Sequence, residues 1–205
     1  MKRELNVLKA IIEADYKRHI KRFSTFKPGK ETVFIGDSLI AYFPLRHFGI
    51  EDKVYQMGIS GDTTQGVLDR INQVIDLAPK RIILHIGLND ELLMENDKNH
   101  TVNRLKQIIN KLYQALPNVA CYFVSLTPFN KDEFPKSSYI EGRSLTFAVD
   151  VNKYLKTIPK ITYIDLYEQL INTNKQLIKR FSTDGIHLNK DGYQIYYHFI
   201  EDILA

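Results

Sequence analysis

Five positions scattered along this 205-residue chain carry the groups that ester cleavage requires. Ser38, in Gly36-Asp37-Ser38-Leu39, offers a hydroxyl that becomes a nucleophile once a base takes its proton. His187 is the candidate base. Asp184, three residues earlier, could fix the imidazole tautomer and stabilise the imidazolium that forms. The tetrahedral intermediate needs donors aimed at its oxygen. The backbone N–H groups of Ser38 and Gly61, with the side-chain amide of Asn89, could supply three. Gly61 suits that place because a glycine lets backbone approach a substrate closely.

Each piece taken singly has a plainer role. Gly-Asp-Ser can simply end a strand, and Asp184-Gly185-Ile186-His187 can be a turn whose aspartate caps its own backbone. Asn89-Asp90 can be a turn followed by a helix N-cap. Ser60, in Gly58-Ile59-Ser60-Gly61, is a rival nucleophile, although that tetrapeptide more naturally shapes a turn. The segment GISGDTT has the look of a phosphate cradle, yet GxxxxGK[ST] is absent and GxGxxG does not fit. The nucleophile-elbow pattern GxSxG is missing, which argues against an ordinary α/β-hydrolase. His85 lies inside an apolar run and reads as a core histidine. Cys121 is the single cysteine, so no internal disulfide can form, and its run VACYFVSL marks it as a small core residue. Metal spacings such as CxxC and HExxH do not occur.

The elements that would position these groups can be read from apolar periodicity. Strand candidates begin with TVFIGDSL at 32–39 and recur at 53–57, 81–87, 119–126 and 161–165. Helical stripes separate them: Val67, Leu68, Ile71, Val74 and Ile75; then Val102, Leu105, Ile108, Ile109 and Leu112, stopped by Pro117. Leu145, Ala148, Val149 and Leu155 suggest a third, and Tyr193, Tyr196, Phe199, Ile200 and Ile203 a closing helix. Strand–helix alternation with nearly continuous apolar strands predicts an α/β fold with a parallel sheet covered on both faces. Carboxyl ends of parallel strands share one edge, so the segments around Ser38, Gly61 and Asn89 should converge there. Residues 40–46 and the long irregular stretch 127–142 are the expected pocket walls. Asp37 and Leu39, flanking Ser38, and Pro128, at the start of that stretch, are candidate substrate-binding residues.

Charge divides the chain. Residues 1–30 hold nine Lys or Arg against three acids, whereas the whole chain is only +4. Leu5, Leu8, Ile12, Tyr16, Ile20 and Phe23 recur there at helical spacing, so an amphipathic helix with a solvated basic face is expected. We divide the chain into this extension (1–30) and a catalytic domain (31–205). Charges interrupt the first apolar residues too early for the expected pattern of a signal peptide, and no stretch is long enough to span a membrane. A cytoplasmic protein is the expectation, with neither nucleic-acid binding nor stable membrane insertion. A homodimer is the candidate assembly.

Together GDSL, GISGDTT, GLND and DGIH resemble the blocks of the SGNH hydrolases, the GDSL-type esterases and lipases, over about residues 32–200. The chain is similar to the small esterases of that family related to platelet-activating-factor acetylhydrolase. The resemblance implies a flavodoxin-like three-layer α/β/α sandwich with five parallel strands. It implies Ser38 as nucleophile, Gly61 and Asn89 as oxyanion donors beside the Ser38 N–H, and Asp184–His187 as the rest of the triad. No cofactor or metal is implied. Two positions depart from the family pattern: Gln56 where asparagine is common, and Leu188 where proline is common. The expected activity is hydrolysis of short-acyl carboxylic esters, of a small molecule or a glycan. Carbohydrate O-deacetylation and acyl transfer are the alternatives on the same scaffold. A non-catalytic polyanion-binding module is the alternative of another class.

Overall fold

Five short strands, Thr32–Gly36 (β1), Val54–Gly58 (β2), Arg81–His85 (β3), Ala120–Val124 (β4) and Ile161–Ile164 (β5), form one sheet in the order β2-β1-β3-β4-β5. Every pairing is parallel. The computed structural model describes residues 2–94 and 98–205, with side chains from residue 13 onward. Ten α-helices connect and flank the strands among the described residues: Lys2–Phe23 (α1), Ser38–Ala41 (α2), Thr64–Asp69 (α3), Ile71–Ile75 (α4), Asp90–Leu93 (α5), Lys98–Ala115 (α6), Phe147–Leu155 (α7), Tyr167–Leu170 (α8), Lys190–His198 (α9) and Glu201–Leu204 (α10).

Alternation along the strands divides the core into two layers. Val33 and Ile35 of β1 face one side, with Ile82 and Leu84 of β3, and pack against Val67, Ile71, Leu105, Ile108 and Val151 from α3, α4, α6 and α7. Phe34 and Ile83 face the other side and pack against Ile40, Leu170, Tyr196 and Leu204 from α2, α8, α9 and α10. The sheet therefore lies between two helical layers, which is the expected three-layer sandwich. β1 is buried along its whole length, as a strand covered on both faces must be. Each fully buried side chain such as Phe34 contributes about 1.5–3 kcal/mol by leaving water.

Two predicted helices are each divided. The stripe Val67–Ile75 breaks at Arg70, whose N–H is shared between the carbonyls of Gly66 and Val67 and whose guanidinium is drawn to Asp62 and Gly36. The closing helix breaks at Phe199–Ile200, where the N–H groups bond three residues back instead of four.

α1 packs onto the same core as the rest of the chain. Phe23 is buried, Tyr16 donates to Gly66 O at 2.9 Å, and Gln73 donates to Ile20 O at 3.0 Å. The Arg70 guanidinium lies over the Phe23 ring. The side chains of Leu5, Leu8 and Ile12 lie outside the described residues. No helix among the described residues is long and apolar enough to cross a membrane.

The strand order also locates the crevice. β1 leads to β2 on one side and its other neighbour β3 leads to β4 on the opposite side, so the connections leaving β1 and β3 diverge beyond their carboxyl ends. Gly36, Gly58 and His85 stand in register at that edge. Gly58 is needed there because a Cβ would lie 2.2 Å from the Ala41 nitrogen, where α2 crosses the end of β2.

Candidate active site

Ser38 opens α2 immediately beyond β1. Asp37 caps the helix, its carboxylate accepting from Leu39 N at 3.0 Å. The Ser38 hydroxyl lies 3.0 Å from His187 Nε2, and His187 Nδ1 lies 2.6 Å from Asp184 Oδ2. A carboxylate can only accept, so Nδ1 carries the proton and Nε2 is left with a lone pair facing the serine. The other Asp184 oxygen accepts from the His187 N–H at 2.8 Å and the Ile186 N–H at 3.1 Å. Partial burial pushes the Asp184 carboxyl upward, but the hydrogen bonds from the His187 ring and from both backbone groups outweigh it and hold the acid below its ordinary range.

The turn carrying these two residues is fastened from within. Ser182 donates to His187 O at 2.7 Å and accepts from Gly185 N at 2.8 Å. Gly185 has φ +89°, and its carbonyl accepts from Asn130 N of the long loop. The segment 127–142 is thereby coupled to the turn that presents the imidazole.

On the far side of Ser38, Gly61 sits at φ +75°, in the left-handed region that favours glycine. Neither its N–H nor that of Ser38 donates a backbone hydrogen bond among the described residues. The loop is held from behind by a buried ion pair. Arg70 donates to Asp62 Oδ2 through Nε at 3.0 Å and Nη2 at 2.8 Å, and to Gly36 O at 3.2 Å. The guanidinium thus joins the loop after β2 to the end of β1. Asn89 precedes α5 but makes no side-chain cap. Its Nδ2 donates to Asp62 O at 3.1 Å and its Oδ1 accepts from Arg143 Nη2 at 3.0 Å. The neighbouring Asp90, fully buried, accepts from Thr64 N, the Thr64 hydroxyl and the Thr101 hydroxyl, tying α3, α5 and α6 together behind the site.

A cavity of about 760 Å³ opens over these groups. Ser38, Gly61, Asn89 and His187 all line it, as do Asp37 and Leu39. Pro128 is buried and is not among its lining residues. Tyr42 and Tyr139, each half exposed, stand edge-on to the His187 ring at 5.6 and 5.1 Å between centroids. Each of the two predicted wall segments therefore places an aromatic beside the imidazole. Ser60 is 3.0 Å from the Tyr42 hydroxyl, and its partner is that phenol, not the imidazole. His85 also touches the cavity, but its Nδ1 is engaged with the Tyr196 hydroxyl at 3.1 Å, and burial drives its pKa down to about 3. It therefore stays neutral. Burial has the opposite effect on Asp37, raising its carboxyl to about 7. Gln56 Nε2 donates to the carbonyls of Ile40, Ala41 and Phe43, tying the residues after Ser38 to β2.

The parallel sheet in the order 2-1-3-4-5, with helices on both faces, is shared with known proteins. The family model of the GDSL-like lipases and acylhydrolases matches residues 34–195. The chain belongs to this family. As an acylhydrolase it shares its fold with a candidate platelet activating factor from Streptococcus pneumonia, at 24% identity, complete coverage of both chains and a TM-score of 0.86. It is also similar to a GDSL-like lipase from Bacteroides thetaiotaomicron, at 20% identity over 93% of this chain and 97% of that one, with a TM-score of 0.76. A lipase/acylhydrolase from Enterococcus faecalis aligns at 20% identity over 86% and 98%, with a TM-score of 0.66. No curated protein matches the chain.

Two features of this acylhydrolase escape motif reasoning. Arg143, one residue past the predicted wall segment, reaches back to Asn89, and a lone arginine in a loop carries no signal of that. Ala14, Asp15 and Arg18 of α1 line the cavity. The helical periodicity of α1 shows which face is apolar but not what that face rests on.

Proposed function

We propose that this protein is a serine esterase that hydrolyses carboxylic esters with short acyl groups. The observation that carries the reading is the continuous relay Asp184–His187–Ser38, whose serine opens into a cavity also lined by Gly61 and Asn89. Ser38 Oγ attacks the ester carbonyl carbon as its proton passes to His187 Nε2. The negative charge that develops on the carbonyl oxygen is met by the Ser38 and Gly61 N–H groups and the free Nδ2–H of Asn89. Collapse breaks the bond to the alkoxide, which leaves with the proton held by His187. Water then attacks the acyl-serine, His187 takes its proton and returns it to Ser38, and the carboxylic acid departs. Each donor to the oxyanion is worth about 2.7–4 kcal/mol of barrier in such sites.

The test is hydrolysis of p-nitrophenyl esters of increasing acyl length. Ser38→Ala and His187→Ala should each lower kcat by at least about 10⁴-fold with the fold intact. Turnover by purified Ser38→Ala close to that of the native protein would sink the assignment. A second reading, removal of acetyl groups from a carbohydrate, draws support from the half-exposed Tyr42 and Tyr139 at the open cavity. Acetate release from acetylated saccharides, compared with simple esters, separates the two.

A further inference from the structure

We propose that Arg143 is a positioning residue of the oxyanion hole, holding the Asn89 carboxamide in the one orientation that turns an N–H toward the reacting oxygen. The inference rests on the esterase reading and adds a member to its site. A carboxamide can rotate by 180° and exchange donor for acceptor. Here both ends are pinned. Arg143 Nη2 can only donate, and it meets Oδ1 at 3.0 Å; Asp62 O can only accept, and it meets Nδ2 at 3.1 Å. One Nδ2–H is thereby committed to Asp62, and the second is free for the substrate.

The arginine is itself fixed at three points. Nε donates to Tyr139 O at 2.7 Å, Nη1 to Leu88 O at 2.6 Å, and Nη2 to Asn89. Leu88 O belongs to the peptide group that joins Leu88 to Asn89, so one rigid fork grips the backbone and the side chain of the donor together. Through Tyr139 the same fork restrains the ring that packs against His187. It therefore ties the oxyanion side of the cavity to the base side. All three hydrogen-bonded acceptors are neutral, but the carboxyl groups of Glu91 and Asp37 also act on the guanidinium through space, so its part in the site is to hold Asn89 and not to supply uncompensated charge. A lysine, with a single point of charge, could not make all three contacts.

The experiment compares the native protein with Arg143→Met, Arg143→Lys, Asn89→Ala and the double variant Asn89→Ala/Arg143→Met. Each is assayed on p-nitrophenyl acetate beside Ser38→Ala, with thermal midpoints recorded. Arg143→Met should lower kcat by about 10- to 100-fold, less than loss of the donor itself, with KM changed by less than about 2-fold. Arg143→Lys should recover part of the rate. In the Asn89→Ala background the second substitution should cost less than about 2-fold, because the group through which Arg143 acts is gone. An equal factor in both backgrounds overturns the proposal. So does a rise in KM at constant kcat, which would make Arg143 a substrate contact.

A second readout does not depend on turnover. In ¹⁵N–¹H spectra the two Asn89 Nδ2 protons should be displaced from free-amide positions in the native protein and move toward them in Arg143→Met, with backbone signals of the five strands retained. Unchanged Asn89 signals would overturn the proposal even if the native protein proves to have no serine-dependent esterase activity, a result that counts against the esterase reading alone.

Discussion

Asp37 is chemically the least expected residue of the site. It caps α2 through a single backbone N–H, and enclosure in the sheet edge raises its carboxyl to about 7, against an ordinary 3.8. Between those values the folded protein holds a proton that the unfolded chain has released. Its contribution to stability is complete below about pH 4 and is lost as pH rises through about 7. Asparagine keeps the acceptor for Leu39 N and has no proton to lose. Asp37→Asn should therefore match the native protein near pH 4 and become progressively more stable than it up to pH 8. Urea midpoints at several pH values check this, and a constant offset would contradict it. Asp184 behaves oppositely: its depressed carboxyl stays ionised well into acid. A pH–rate profile on p-nitrophenyl acetate between pH 8 and 5 should therefore carry no limb from this aspartate.

Among the elements, the loop after β2 depends on a side chain that comes from the break between α3 and α4. Arg70 and Asp62 are almost wholly buried, and removing one partner leaves the other charge uncompensated, at a cost of about 3–5 kcal/mol. Arg70→Met should lose that much in denaturant titrations and lower kcat as well, because Asp62 O anchors Asn89 and Gly61 adjoins Asp62. Stability lost without any change in kcat would show that the loop is held by other contacts. This ion pair also marks a limit of what the chain reveals. The five strands were legible because each is a short apolar run bounded by turn residues, and parallel order then predicts one shared edge. Gly61, Asn89, Asp184 and His187 were legible as residue types suited to a reaction. Arg70 and Arg143 were not, because an arginine's reach depends on which carbonyls the fold sets before it. Pro128 was expected at the cavity because it opens the long loop, but the loop enters buried and only its later part, at Ser138 and Tyr139, reaches the cavity.

At the scale of the molecule, α1 is wall as well as cover. Its buried Phe23 joins the core below the sheet, while Ala14, Asp15 and Arg18, near the middle of the helix, reach the cavity. Ala14 is exposed, so a larger side chain there meets cavity space and not packed core. Ala14→Trp should leave the thermal midpoint nearly unchanged and raise KM for bulky esters several-fold more than for acetate. Identical KM ratios across ester sizes would remove α1 from the determinants of selectivity.

The relay from Ser38 to His187 joins residues 149 positions apart, and the donors between them arrive on separate strands. Nothing resembling a partial catalyst exists in any contiguous fragment of the chain. Contacts this remote in sequence form slowly and late. After dilution from denaturant, helical signal should return well before the ability to turn over ester, and the last event should be the seating of the turn that bears the imidazole. The same arrangement has a consequence while the chain is being made: until the segment bearing His187 has emerged and folded back, Ser38 is an ordinary alcohol.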